Sequence, residues 1–148
     1  MNDFSEFYEQ YNLYLKAVAQ ANELNKSVVF DALAAAGLTR ITVEFDGAGD
    51  SGQIDDVTAY ADDVCANVPE TSLTIHRAMQ DAGRLGTAKA SLPSALEILC
   101  YDYLTQCHDG WENNDGACGT FEFDVPNRSI HLDFNERFTD TTHHSHDL

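Results

Sequence analysis

Lysine and arginine are scarce in this chain. Its 148 residues include eight of them against 25 aspartates and glutamates, a formal net charge of −17. Neither residue occurs between Arg40 and Arg77, nor between Lys89 and Arg128. The first window instead holds Glu44, Asp46, Asp50, Asp55, Asp56, Asp62, Asp63 and Glu70. The second holds Glu97, Asp102, Asp109, Glu112, Asp115, Glu122 and Asp124. A chain of this character repels nucleic acid and anionic membrane, and it attracts cations or basic protein surfaces.

Other absences narrow the class further. No apolar run approaches the roughly 18 residues that a membrane span requires. The start, Met1 to Glu6, is acidic and amphipathic, unlike the basic-then-apolar opening of a secretory signal. Cys65, Cys100, Cys107 and Cys118 show no C-x-x-C spacing, so reduced and mostly buried thiols in a cytoplasmic protein are expected. No nucleophile stands out either. Ser51 falls in an expected hairpin turn and not at a strand-to-helix elbow, and Cys118 lacks the basic neighbours that activate a thiol.

What the chain does have is core material: 43 % apolar residues, with eight Phe, six Tyr and one Trp. That content rules out an acidic disordered polypeptide and suits one domain of ordinary size. Residues 1–138 are expected to form it, with residues 139–148 as a His-rich tail.

Two periodicities organise the domain. Phe4, Phe7, Tyr8, Tyr11, Leu15 and Val18 recur at three- and four-residue steps, marking a helix from about Asp3 to Leu24. Val29, Leu33 and Ala36 continue the step toward Gly37. The pattern fits one helix, or two with a cap at Asn25 or Ser27. The period then falls to two in Ile41–Asp46, a strand with one wet face. Gly47–Gly52 reads as a turn and Ile54–Ala61 as a second strand. Ser72–Ile75 is expected to be a short third strand, and Asp81–Ala90, rich in small residues, a mobile connection. A helix should start near Ser91 with Pro93 in its first turn and end by Asp109-Gly110. Its buried stripe should comprise Leu92, Leu96, Leu99, Cys100, Tyr103 and Cys107. Phe121, Phe123 and Val125 then alternate on one strand, and Ile130, Leu132 and Phe134 on another, with Pro126-Asn127 as the turn. The expected fold is α+β. An antiparallel sheet built from two hairpins carries an N-terminal helical region and one central helix on one face.

Strand alternation also locates charge. If the apolar residues of these hairpins face the core, the opposite face carries Glu44, Asp46, Glu122, Asp124, His131 and Asp133. A two-residue turn at Pro126-Asn127 sets Glu122 opposite His131. A four-residue turn sets Asp124 there and Glu122 opposite Asp133, and like charges directly opposed are destabilising. Water, a cation or a basic partner could fill such a face. In the first case Arg128 and Arg137 would offset it.

Other motifs have quieter readings. Gly47–Gly52 spells G-x-G-x-x-G after a strand, yet Asp46, Asp50, Asp55 and Asp56 surround it with charge that opposes a phosphate. A turn is the better reading. Gly110–Gly116 places Asn and Asp behind Trp111, which suits a loop anchored by the indole more than a ligand clamp. His143, His144 and His146 lie in the tail, where a metal lacks the supporting shell that fixes its ligands.

Val43–Gly47 with Gly49–Gln53, Gly110–Gly116 and Leu132–Asp140 resemble segments of an uncharacterised family of small acidic bacterial proteins. That family is a domain of unknown function found on plasmids and other mobile elements. The likeness runs from about Val43 to the C-terminus. It implies a setting of mobile DNA in a bacterial cytoplasm, where proteins that disarm host defence are common. It assigns no activity and no residue roles.

The leading expectation is therefore a non-enzymatic binding protein of the DNA-mimic or anti-defence type. Glu44, Asp46, Asp50, Asp55, Asp56, Glu122, Asp124 and Asp133 would occupy a basic nucleic-acid-binding surface on a partner, with no direct contact to nucleic acid or membrane and no cofactor. One alternative is a divalent-metal-dependent hydrolase with a site at His131, Asp133, His143 and His146, supported by Glu44, Asp46 and Glu136. The other is a scaffold or antitoxin-like module that pairs through its aromatic N-terminal helix.

Overall fold

A computed structural model describes residues 3–48, 51–79, 84–108, 116–136, 145 and 147. The chain opens with one continuous helix, α1 (Asp3–Ala35), of 33 residues. It contains neither glycine nor proline, so nothing in the backbone forces a break at Asn25 or Ser27. It stops where Gly37 adopts a φ of 76°. There the Gly37 amide donates to Ala34 O and the Leu38 amide to Leu33 O, at 3.0 and 3.1 Å. These two bonds, with Leu33 and Leu38 both buried, form a Schellman cap.

Among the described residues eight further elements follow. They are β1 (Arg40–Ala48), β2 (Ser51–Ala61), β3 (Val64–Ala66), β4 (Ser72–Ala78), β5 (Leu85–Ser91), α2 (Leu92–Cys107), β6 (Ala117–Asp124) and β7 (Ser129–Glu136). An antiparallel five-stranded sheet runs in the order β3-β2-β1-β6-β7, while β4 and β5 pair by themselves. The two expected hairpins thus join edge to edge through β1 and β6. The fold is α+β, as the change of period indicates.

Two expectations need correction. Leu85–Ser91 is a strand and not a mobile connection, paired with β4 from Leu85↔Ala78 to Ser91↔Ser72. Its small side chains carry little strand signal, but the ladder satisfies its backbone. A helix side chain secures this hairpin. The buried Asn25 of α1 donates from Nδ2 to His76 O at 2.8 Å and accepts from His76 N at 2.6 Å. Asn25 therefore acts as a strand partner for β4 and not as a helix cap. The second correction concerns the thiols. All four cysteines are free, but only Cys100 is buried, and Cys107 at the end of α2 is exposed.

Ser91 caps α2, its hydroxyl accepting from the Ser94 amide at 3.3 Å, with Pro93 in the first turn. Leu92, Ala95, Leu96, Leu99, Cys100 and Leu104 form its buried side. They meet Val29, Phe30 and Leu33 of α1 and the inner residues Ile41, Val43, Phe45, Phe121 and Phe123 of the sheet. Tilted ring pairs, Phe30–Phe123 at 5.8 Å and Phe45–Phe121 at 5.5 Å, fill the centre. Thr39 closes one end: its amide reaches Tyr60 O, its carbonyl receives the Val125 amide, and its hydroxyl receives the Asp62 amide. This joins the ends of β2 and β6 to the start of β1. Both helices contribute to the core on one face of the large sheet, which leaves the other face to the polar half of each strand.

Candidate partner-binding face

The register across the sheet sets the outer side chains in rows. Asp56, Glu44, Thr120 and Asp133 form one row, and Thr58, Thr42, Glu122 and His131 the next. Tyr60, Arg40, Asp124 and Ser129 lie to one side, and Gln53, Asp46, Cys118 and Asn135 to the other. With about 4.8 Å between strands, a row of four spans roughly 14 Å. Glu44, Asp55, Asp56, Glu122 and Asp133 are exposed, while Asp46 and Asp124 are half-buried. Seven of the eight expected partner-binding carboxylates therefore fall on β1, β2, β6 and β7. Asp50 lies outside the described residues.

Glu122 pairs with His131 and Asp124 with Ser129, the register of the two-residue turn. In that register Thr120 faces both Glu44 and Asp133, and Thr42 faces both Glu122 and Thr58. Threonines so interleave with the acids that, among the described residues, Glu44↔Asp56 is the one pair of carboxylates in direct opposition. At that point the ladder slips, Glu44 facing Asp56 and Phe45 facing Ile54, so that Asp55 is the extra residue of a β-bulge. Side chains on the same strand receive the charge: Gln53 Nε2 donates to Asp55 at 3.1 Å, and the Thr58 hydroxyl to Asp56 at 3.3 Å. The uncertain start of the second strand in the sequence is this bulge.

Among the described residues, cations do little to offset the face. Arg128 turns to the helical side, where it donates to Asp31 Oδ1 at 2.9 Å and to Ser27 O at 3.1 Å. It does not compensate the sheet carboxylates, contrary to the expectation. Arg137 lies outside the described residues. Arg40 lies on the outer face itself, its guanidinium 4.3 Å from the centre of the Tyr60 ring.

The metal reading is partly placed. His131 Nε2 and Asp133 Oδ1 are 3.0 Å apart on the exposed edge strand. The tail residues His143 and His146, which that reading needs, lie outside the described residues, as does Trp111 with its Asn-rich loop. Among the described residues no group of three or more His, Cys, Asp or Glu is gathered as a metal would require.

A second feature had no signal in the sequence. A cavity of about 620 Å³ opens between α1, β4 and α2, with Tyr14, Val18, Asn22, Arg77, Asp102 and Gln106 in its wall. Asn22 Nδ2 donates to Gln106 Oε1 at 2.5 Å. Burial raises the Asp102 carboxyl above its ordinary pKa, and the Arg77 charge pulls it partly back. These residues are far apart in sequence, and only the docking of β4 on α1 brings them together.

The molecule is thus an α+β protein with helices on one face of its main sheet and exposed carboxylates on the strands that form the other. Its residues 21–148 match a family model described as "Family of unknown function (DUF6878)". The chain belongs to that family. Neither a curated protein nor a solved structure matches it. No described helix is long and apolar enough to cross a membrane.

Proposed function

We propose that this protein binds a basic protein surface through the outer face of its five-stranded sheet, as a non-enzymatic competitor for a surface that otherwise holds nucleic acid. One observation carries the reading. Glu44, Asp55, Asp56, Glu122 and Asp133 stand exposed on adjacent strands, and Arg128 of the β6–β7 turn points away to Asp31. Duplex DNA carries one charge per roughly 1.7 Å of axis, so a competitor needs a compact array of carboxylates on a rigid support. A twisted sheet tied to a packed core is such a support. The finer setting belongs to the same proposal: a bacterial cytoplasm, a mobile element, and a defence complex of the CRISPR or restriction type as the partner.

The test is a pull-down from bacterial lysate at low and high salt, with wild type beside a Glu44→Gln, Glu122→Gln, Asp133→Asn variant. A basic partner retained at low salt, released at high salt and lost by the variant is the expected result. Capture that is indifferent to both salt and the three substitutions would reject the reading.

A further inference from the structure

The cavity between α1, β4 and α2 carries charge of both signs in its wall, beside a polar atom without a partner. Asn22 is only 2 % exposed, and its Nδ2 is engaged by Gln106. Its Oδ1 is buried with no hydrogen bond, the one such side-chain atom among the described residues. A buried acceptor left unmet is costly, and folded chains keep few of them.

Packing brings the two charges to the same place. Gln106 is one turn beyond Asp102 on α2, so the Asn22–Gln106 bond sets Asn22 beside the Asp102 carboxyl. Asn25, one turn along α1 from Asn22, holds the backbone of His76. Ile75 is buried in the core, and Arg77, two residues on, lies on the same face of β4. Arg77 therefore reaches the cavity from the strand, as Asp102 does from the helix. The Arg77 charge acts on Asp102, yet among the described residues no ion pair joins them. A cation and a carboxyl thus face one space without closing it.

We propose that this cavity binds a free α-amino acid with a large apolar side chain. Asn22 Oδ1 and the Asp102 carboxylate only accept, so they call for a donor, and an ammonium group supplies several. Arg77 only donates and calls for a carboxylate, which its planar fork can grip at both oxygens. Val18 and Tyr14 continue the Asn22 face of α1 by one and two turns and give the side chain an apolar wall. Net charge selects the same occupant. At −17 the chain disfavours an anion, and Arg77 in the wall disfavours a bare cation, whereas a zwitterion meets neither objection. A volume of about 620 Å³ is ordinary for a site that holds a small molecule. Nothing in this site involves the acidic sheet face, so it stands independently of the function proposed above.

Titration of the isotope-labelled full chain with L-phenylalanine, L-leucine and L-tryptophan, followed by amide NMR, is the test. The expected result is a saturable shift at Asn22, Arg77 and Asp102 with at least one of them, at a Kd of about 1 mM or below. For the amino acid that binds, the decarboxylated amine and the N-acetyl derivative should each bind at least about tenfold more weakly. Arg77 is exposed, so Arg77→Met should keep the fold. It should weaken the amino acid about tenfold and leave the decarboxylated amine unchanged. Three amino acids that shift none of these residues overturn the proposal. So does a derivative that binds as tightly as its parent, or an Arg77→Met chain that binds the parent at full strength.

Discussion

The Tyr101 hydroxyl of α2 accepts a hydrogen bond from the Ile54 amide of β2 at 2.8 Å. Ile54 sits at the register slip beside Glu44 and Phe45. A bulge leaves part of the ladder unmade, and a backbone donor freed there needs another acceptor. The helix supplies it from across the core. The bond therefore ties the buried layer to the stretch of sheet that displays Asp55 and Asp56.

Tyr101→Phe keeps the ring and removes the acceptor. It should cost about 1 kcal/mol in urea unfolding, the usual range for leaving a partly buried donor unpaired. Amide exchange at Ile54 should quicken more than at Val43, which is in the regular ladder. An Ile54 amide as slow as in wild type would show that another group satisfies it.

Gly119 has a different constraint. A Cβ there would run into the carbonyl oxygen of Asp133 and, at 2.8 Å, into the Phe45 ring. Both neighbours are fixed, one by the β6–β7 ladder and the other by the aromatic core. Gly119→Ala should therefore destabilise the fold by about 3 kcal/mol through overpacking. Gly37→Ala, with open space around the Cβ but a φ of 76°, should cost only about 1 kcal/mol. Equal losses at the two glycines would contradict the steric account.

How legible this molecule is in its sequence depends on the range of the interaction. Strand alternation is local, so Ile41–Asp46 and Phe121–Phe134 disclose both their element type and their polar face. The cap at Ser91 and the stop at Gly37 are local as well. Leu85–Ser91 is not legible, because its ladder to β4 and the support of Asn25 come from elsewhere in the chain. The continuity of α1 through Asn25 is hidden for the same reason, since that asparagine serves β4. For the candidate site, alternation places Glu44, Glu122 and Asp133 on one surface. It cannot place Asp55 and Asp56, because a bulge breaks the period, and it misdirects Arg128, whose partner Asp31 is on a distant helix. The cavity between α1, β4 and α2 depends wholly on docking and leaves no trace in spacing.

Alkaline pH should find a weak point in α2. Burial, followed by the charges of Glu23, Cys100 and Cys107, raises the Tyr103 hydroxyl from an ordinary 10.0 to about 12. Burial, and then Glu97, also pushes the Cys100 thiol above its ordinary 9.0. In both groups the unfolded chain loses its proton first, so stability is unaffected at low pH and falls as pH rises past the ordinary values. Urea midpoints should decline from about pH 9, with the Tyr103 share falling between about 10 and 12. Tyr103→Phe should flatten the decline above pH 10 and leave the neutral-pH slope unchanged. A midpoint that holds steady from pH 8 to 11 would contradict the assignment.

The opposed pair Glu44↔Asp56 offers the clearest separation of folding from function. Across two neighbouring strands, like charges cost a few tenths of a kcal/mol, and nothing in the packed core requires this exposed pair. If the face serves only to stay wet, the repulsion is a defect. If it serves a basic partner, the same repulsion is what the partner relieves. Glu44→Gln should therefore raise stability by about 0.5 kcal/mol at low ionic strength, and the gain should shrink as salt screens the pair. The same substitution should lower affinity for the basic partner, most strongly at low salt and chiefly through a slower association rate. Urea unfolding of wild type and variant at two salt concentrations measures the first effect, and binding kinetics at the same concentrations measure the second. A Glu44→Gln protein that is less stable than wild type would refute the repulsion. One that is more stable and binds equally well would remove Glu44 from the interface.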